Sequence, residues 1–263
     1  MHQVIQKKTA LVLAGTENVI PYIGTFLISL NKIHPNFTND IIVFYDTISS
    51  IYSEKLKKIP NIVLKKYETP FENIDEFDDV VLNNFTPMVF AKYECIRLLN
   101  DYSCIIWMDY DMVVASDISE LLKPVDSGLR LIITPSISDS FLPNQNKVVM
   151  EEYKELNGIH GSVMVFYDTL KRREEIYWWC IDKTNELKST LRLPEQAVFS
   201  LMINEFAIAV YPIDFNLYSK HPESKKTYYD KYVKIWHCYG PRKFWNGVKC
   251  KVFDECYDIW KSL

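Results

Sequence analysis

The chain reads as an α/β protein built on a mostly parallel sheet flanked by helices. Three observations carry that expectation. Short apolar runs alternate with helical stretches through the N-terminal half, which implies βαβ units. The run Cys104-Ile105-Ile106-Trp107-Met108 is apolar throughout and bounded by polar residues, as a buried central strand is. Directly after it stand Asp109-Tyr110-Asp111, at the carboxyl end of the strand, where open α/β sheets bind their ligands.

Taken in order, Thr9-Ala10-Leu11-Val12-Leu13-Ala14 predicts the first strand, with a helix over 18–32. Asp40-Ile41-Ile42-Val43-Phe44-Tyr45 predicts the second, and a Lys-rich helix at 53–58 leads to a third at Asn61-Ile62-Val63-Leu64. Thr86-Pro87 has the form of a helix start, an N-cap hydroxyl followed by Pro at the first helical position. That helix should reach about Asn100, carrying Lys92 and Arg97 toward the Cys104 strand. Arg130-Leu131-Ile132-Ile133-Thr134 and Ser162-Val163-Met164-Val165-Phe166 predict two more strands. A polar helix follows, then a helix over 195–204 and short strands at 206–210 and 233–236. The loop 136–151, with its Pro, Asn and Gln breaks, has the form of a mobile lid or acceptor loop.

The length suits one large α/β domain or two small ones. A formal charge of −4 argues against nucleic acid as a partner, because such a binder presents a basic surface. An anionic substrate must then be held locally, by a cation or a few placed Lys and Arg. The chain carries 17 Tyr, 14 Phe and 6 Trp, which suit sugar and base stacking, although most should be core. The six cysteines form no C-x-x-C pair, several lie in apolar runs, and no signal peptide precedes them. No apolar stretch approaches membrane-spanning length. The expectation is a soluble, cytoplasmic protein without a zinc site. Residues 251–260 can form an amphipathic helix with Val252, Phe253, Cys256 and Trp260 on one side. Its polar face is not strongly basic, which favours packing on the body or on a dimer mate; peripheral membrane contact stays open.

Two carboxylates one residue apart point the same way from extended backbone. Mn²⁺ or Mg²⁺ bridges such oxygens to substrate phosphates, so Asp109 and Asp111 suggest a metal–diphosphate site. The competing reading is a pair of solvated aspartates in a strand-to-loop turn.

Further motifs follow downstream. They are Asn157-Gly158-Ile159-His160-Gly161-Ser162, Leu193-Pro194-Glu195-Gln196-Ala197, and Tyr211-Pro212-Ile213-Asp214-Phe215-Asn216. Last comes His237-Cys238-Tyr239-Gly240-Pro241-Arg242-Lys243-Phe244-Trp245. In this order the set resembles the family-eight retaining glycosyltransferases, which include glycogenin and bacterial lipopolysaccharide galactosyl- and glucosyltransferases. The terminal His-x-x-Gly-x-x-Lys-x-Trp arrangement is the most specific part.

The resemblance implies a GT-A fold in one domain over 1–263, with a Rossmann-like nucleotide-binding half at about 1–115 and an acceptor and donor-sugar half at about 116–263. It implies a nucleoside-diphosphate sugar donor, usually a UDP-sugar, a carbohydrate or glycoconjugate acceptor, and Mn²⁺ with Mg²⁺ as the alternative. Asp109, Asp111 and His237 match the metal ligands, and Tyr110 falls with them in the donor site. Lys243 matches the diphosphate lysine, Gly240 a close backbone approach to the phosphates, and Lys92 a basic residue near the donor. A solvated helix lysine is the other reading of Lys92. Ala14, Thr16 and Asn18 fall where the family cradles uracil and ribose, and a plain strand–helix turn explains them as well. Gln196 fills the slot beside the anomeric carbon, with Glu195 before it.

Three positions depart from the family. Glu195 replaces the usual Asp, His160-Gly161-Ser162 stands for an Asn-Ala/Ser-Gly run, and Phe244 replaces Pro. Glu195 and His160 flank the expected sugar, so these changes bear on donor identity more than on reaction class. Asp139 reads as an exposed loop aspartate, with a donor-sugar contact as the lesser alternative. The expected reaction is metal-dependent hexosyl transfer with retention of configuration. The alternatives are a nucleotidyltransferase, a silent nucleotide-sugar-binding scaffold, and a self-glucosylating primer. The first usually needs a Gly-rich loop, and only Gly15 lies near the first strand.

Overall fold

The structure, a computed structural model, describes residues 8–143, 151–153 and 155–263. It is a mixed α/β protein whose helices alternate with strands as expected. Two compact units divide the chain, and neither is continuous in sequence. One holds Thr9–Lys66, Met108–Lys123 and Asp214–Leu263; the other holds Tyr67–Trp107 and the described part of Pro124–Ile213.

In the first of these units, strands β1 (Thr9–Gly15), β2 (Asp40–Tyr45) and β3 (Ile62–Lys66) lie in the order β3-β2-β1, all parallel. Helix Ile20–Ile33 follows β1 and buries Ile20, Ile23, Phe26, Leu27 and Leu30, the i, i+3, i+4, i+7 pattern of an amphipathic helix. The last helix, Lys251–Ser262, turns Phe253, Cys256 and Trp260 inward. Trp260 lies against Gly24 of the earlier helix, where an added methyl would come within 2.2 Å of the indole. The apolar stripe of the last helix is therefore a packing face within this unit.

The other unit carries the run expected as the central strand, β4 (Cys104–Met108), of which Met108 is assigned to the first unit. It is followed in the sheet by β7 (Gly158–Tyr167), β6 (Leu129–Thr134) and β8 (Val210–Pro212), in the order β4-β7-β6-β8. The β6–β7 pairing is antiparallel and β6–β8 parallel. Helix Pro194–Glu205 has proline in its first turn.

Several expectations need correction. The segment after Thr86 winds as a 3₁₀ helix over Pro87–Tyr93 before a short α-helix at Glu94–Leu98, and the Thr86 side chain makes no cap hydrogen bond. The strand expected at 206–210 begins only at Val210: Phe206 closes the preceding helix and Ala207 takes a left-handed φ of 47°, which interrupts any extended run. Residues 136–151 include a 3₁₀ turn at Ile137–Ser140 carrying exposed Asp139, while 144–150 lie outside the described residues. A strand at Met112–Val114 (β5) was not anticipated. It pairs antiparallel with β9 (Ile235–His237) in a separate two-stranded sheet.

All six cysteines are buried free thiols. Burial pushes Cys104 and Cys238 up to about 12. Among the described residues, no helix is long and apolar enough to cross a membrane.

Candidate active site

The β5–β9 pair assembles the first cluster. Its register sets Met112 opposite His237, and the Cys238 amide donates to the Asp111 carbonyl at 2.9 Å. Asp109 to Asp111 form the bend between β4 and β5, so both carboxylates leave a turn rather than an extended strand. One ligand atom each from Asp109, Asp111 and His237 lies within 4.8 Å of the others. Asp111 and His237 are buried and Asp109 is partly exposed. His237 Nε2 lies 3.0 Å from Asp111 Oδ1.

Lys243 completes the cluster by donating from Nζ to Asp111 Oδ2. It is held by a tight turn in which its carbonyl accepts from Asn246 and Val248 amides, each at 3.1 Å. Phe244 anchors that turn by stacking on Phe253 at 4.5 Å. Gly240, in the same loop, has φ of 77°, which a side chain adopts only with strain. Burial alone raises the Asp111 carboxyl; His237 and then Lys243 outweigh it and hold the group well below the usual carboxylate range. Two carboxylates and an imidazole, one edge open to solvent, form a donor set suited to a borderline or hard divalent cation such as Mn²⁺ or Mg²⁺.

Aromatic rings line the same region. Trp245 stacks on Tyr22 at 3.7 Å and 9°, and Tyr110 lies 6.1 Å from Trp245. Burial, then Asp111 and Asp109, raise the Tyr110 phenol, so it stays neutral. At the end of β1, Ala14 is buried, Thr16 half-buried and Asn18 exposed, and the Thr16 hydroxyl donates to the Asn18 side chain.

The second cluster belongs to the other unit. Lys92 is 5 % exposed and Glu195 1 %, so Lys92 is not a solvated helix lysine. Its Nζ donates to Glu195 Oε1 at 2.7 Å and lies 5.4 Å from the Trp107 ring centroid. Gly161 leaves room for the pair: a methyl there would sit 3.0 Å from Glu195 Oε1 and 3.2 Å from Lys92 Nζ. Glu195 Oε2 is buried without a hydrogen-bond partner. Gln196 follows on the first helical turn and is half-buried, and His160 Nδ1 meets Ser162 Oγ at 2.8 Å.

The profile of Glycosyl transferase family 8 matches residues 10–249. The chain belongs to this family. Solved family-like structures share its fold. The galactosyltransferase LgtC, solved with donor and acceptor sugar analogs, superposes with a TM-score of 0.74 at 15% identity, covering 97% of this chain and 96% of that one. The bifunctional glycosyltransferase WbbM gives 0.70 at 16% identity, over 99% of this chain and 50% of its own. The glycosyltransferase GlyE of Streptococcus pneumoniae TIGR4 gives 0.63 at 15%, over 98% and 62%. Among curated proteins none matches. The fold is thus GT-A, and this family-8 chain is a glycosyltransferase.

Sequence reasoning missed two features of this candidate site. Tyr22, which stacks on Trp245, sits in an unremarked helical turn. Ser219, which contacts His237, follows a four-residue helix too short to show a period.

Proposed function

We propose that this protein is a metal-dependent, retaining hexosyltransferase that moves a sugar from a nucleoside diphosphate, most simply UDP, to an acceptor hydroxyl. The observation that carries the reading is the convergence of Asp109, Asp111 and His237, with Lys243 on the same carboxylate. Asp109, Asp111 and His237 would hold Mn²⁺ or Mg²⁺, which when bound supplies positive charge to the donor diphosphate. Lys243 adds a compact charge that offsets the negative charge growing on the leaving group. We assign Gly240, with its positive φ, to close backbone approach to the phosphates, and Tyr110, beside both carboxylates, to the same donor site.

On the family resemblance we assign Ala14, Thr16 and Asn18 to the nucleoside. Lys92, His160, Glu195 and Gln196 go to the donor sugar. The buried, unpartnered Glu195 Oε2 supports that assignment, because a sugar hydroxyl supplies the missing donor. Gln196 is a poor nucleophile, so the acceptor oxygen attacks the anomeric carbon on the face the diphosphate leaves. The bond from that carbon to the phosphate oxygen breaks, and the leaving oxygen takes the acceptor's proton. We read the chain as one catalytic domain acting on a carbohydrate or glycoconjugate in the cytoplasm.

A thermal-shift screen of nucleotide sugars with and without Mn²⁺ tests the reading. A ligand specific for the folded state adds about 2.7 kcal/mol at a hundredfold excess over its dissociation constant. A Mn²⁺-dependent shift with a UDP-sugar, lost in Asp111→Ala, is expected. No shift with any nucleotide sugar would overturn it, and a trapped glycosyl adduct on Glu195 would overturn the same-face mechanism.

A further inference from the structure

The two nitrogens of His237 face different partners. Nε2 is directed at Asp111, as described above, while Nδ1 lies 2.8 Å from Ser219 Oγ. Ser219 is fully buried. It closes the short helix Phe215–Tyr218, its amide donating to the Phe215 carbonyl at 2.9 Å, and Asp214 caps the helix start through the Asn216 amide.

The next residue continues the support. Lys220 forms an isolated parallel bridge with Trp236, and its carbonyl accepts from the His237 amide at 3.0 Å. The Lys220 side chain, 5 % exposed, donates from Nζ to Asp230 Oδ1. Asp230 in turn accepts from the Thr227 amide at 3.0 Å. Ser219 and Lys220 therefore form a strap along β9, fastened at its far end by a buried ammonium that no step of the proposed chemistry uses.

We infer that Ser219 is a positioning residue for metal binding, fixing both the tautomer and the orientation of His237. The inference rests on the metal reading of Asp109, Asp111 and His237. A neutral imidazole carries one N–H. If the Nε2 lone pair is to meet a cation, the proton belongs on Nδ1, where it donates to Ser219 Oγ. Such outer contacts hold a metal-binding ring in place and raise its basicity. Lys220 acts one step further out, keeping the strap against β9.

The test is direct Mn²⁺ titration followed by the electron paramagnetic resonance of the free ion, on wild type, Ser219→Ala, Ser219→Cys and His237→Ala. Nitrogen-15 spectra of the histidines, taken with diamagnetic Mg²⁺ in place of Mn²⁺, accompany it and report the His237 tautomer. Ser219→Cys keeps the side chain's shape while offering a weak acceptor, so it stays informative should the alanine variant fold poorly. The expected result is Mn²⁺ affinity about 10–100-fold weaker in Ser219→Ala, an intermediate loss in Ser219→Cys, and, with the cation bound, a wild-type Nδ1–H tautomer that becomes mixed in both. Wild-type affinity and tautomer in the variants, alongside loss in His237→Ala, would overturn the role of Ser219 alone. No Mn²⁺ binding by the wild type would instead overturn the metal reading, and this inference with it.

Discussion

His237 and Asp111, separated by 126 positions in the chain, meet with 3.0 Å between Nε2 and Oδ1. Neither residue is informative by itself: an aspartate after a strand and a histidine beside a tryptophan are ordinary. The short β5–β9 ladder makes the pair, because its register sets Met112 against His237 and leaves Asp111 one residue beyond.

Lys243 binds the same carboxylate from the other side, and its charge belongs to the leaving group in the proposed reaction. Lys243→Ala is expected to lower kcat by about 10²–10³ while changing KM little, the pattern of a charge that acts on the transition state. Steady-state kinetics with the donor found by thermal shift measure this; a purely KM effect would place Lys243 in ground-state binding.

The Lys92–Glu195 pair is buried on both sides, with side-chain exposures of 6% and 1%. Removing one partner takes from the other its buried ion-pair contact in the core. Glu195→Gln or Lys92→Met should each cost about 3–5 kcal/mol by urea denaturation. The double variant should recover part of that loss, since neither charge remains. Additive losses would show that the two side chains do not depend on each other.

Gly24 faces the indole of Trp260 with no space for a methyl. Gly24→Ala should destabilise by about 1–3 kcal/mol through overpacking, despite alanine's better helix propensity. A thermal midpoint at or above that of the wild type would mean that the last helix shifts to accommodate the methyl.

Asp230 is lowered from 3.8 to about 2, first by its hydrogen bond from Lys220 and then by Thr227. A carboxylate with a depressed folded value stabilises above its unfolded value and loses that contribution as pH falls through the folded one. Stability should therefore fall between about pH 4 and pH 2 in the wild type, and Asp230→Asn should flatten that part of the profile. Urea midpoints at stepped pH measure it; parallel profiles for the two proteins would remove Asp230 from the acid response.

Much of the frame was legible from local pattern. β2 and β4 have the bounds that their apolar runs predict, and the helix expected over 195–204 spans Pro194–Glu205. What escaped was short or long-range. β5 spans three residues, below any period, and becomes a strand only through pairing with β9. The run at 206–210 looked extended, but Ala207 turns left-handed after the helix. Within the site, Asp109, Asp111, His237 and Lys243 were legible because their spacing repeats that of a family. Ser219 was not, since a lone serine after a short helix carries no signal until the fold sets it beside an imidazole.

The interleaved course of the chain bears on biosynthesis. The unit that contains Asp109 and Asp111 regains the chain only at Asp214, after Pro124–Ile213 has been made for the other unit. A ribosome-bound chain thus displays both carboxylates long before their imidazole and ammonium partners exist. Any product of premature termination before residue 235 carries two of the three candidate ligands and no β9 to complete the ladder. In such fragments β5 would lack the strand that it pairs with in the full chain.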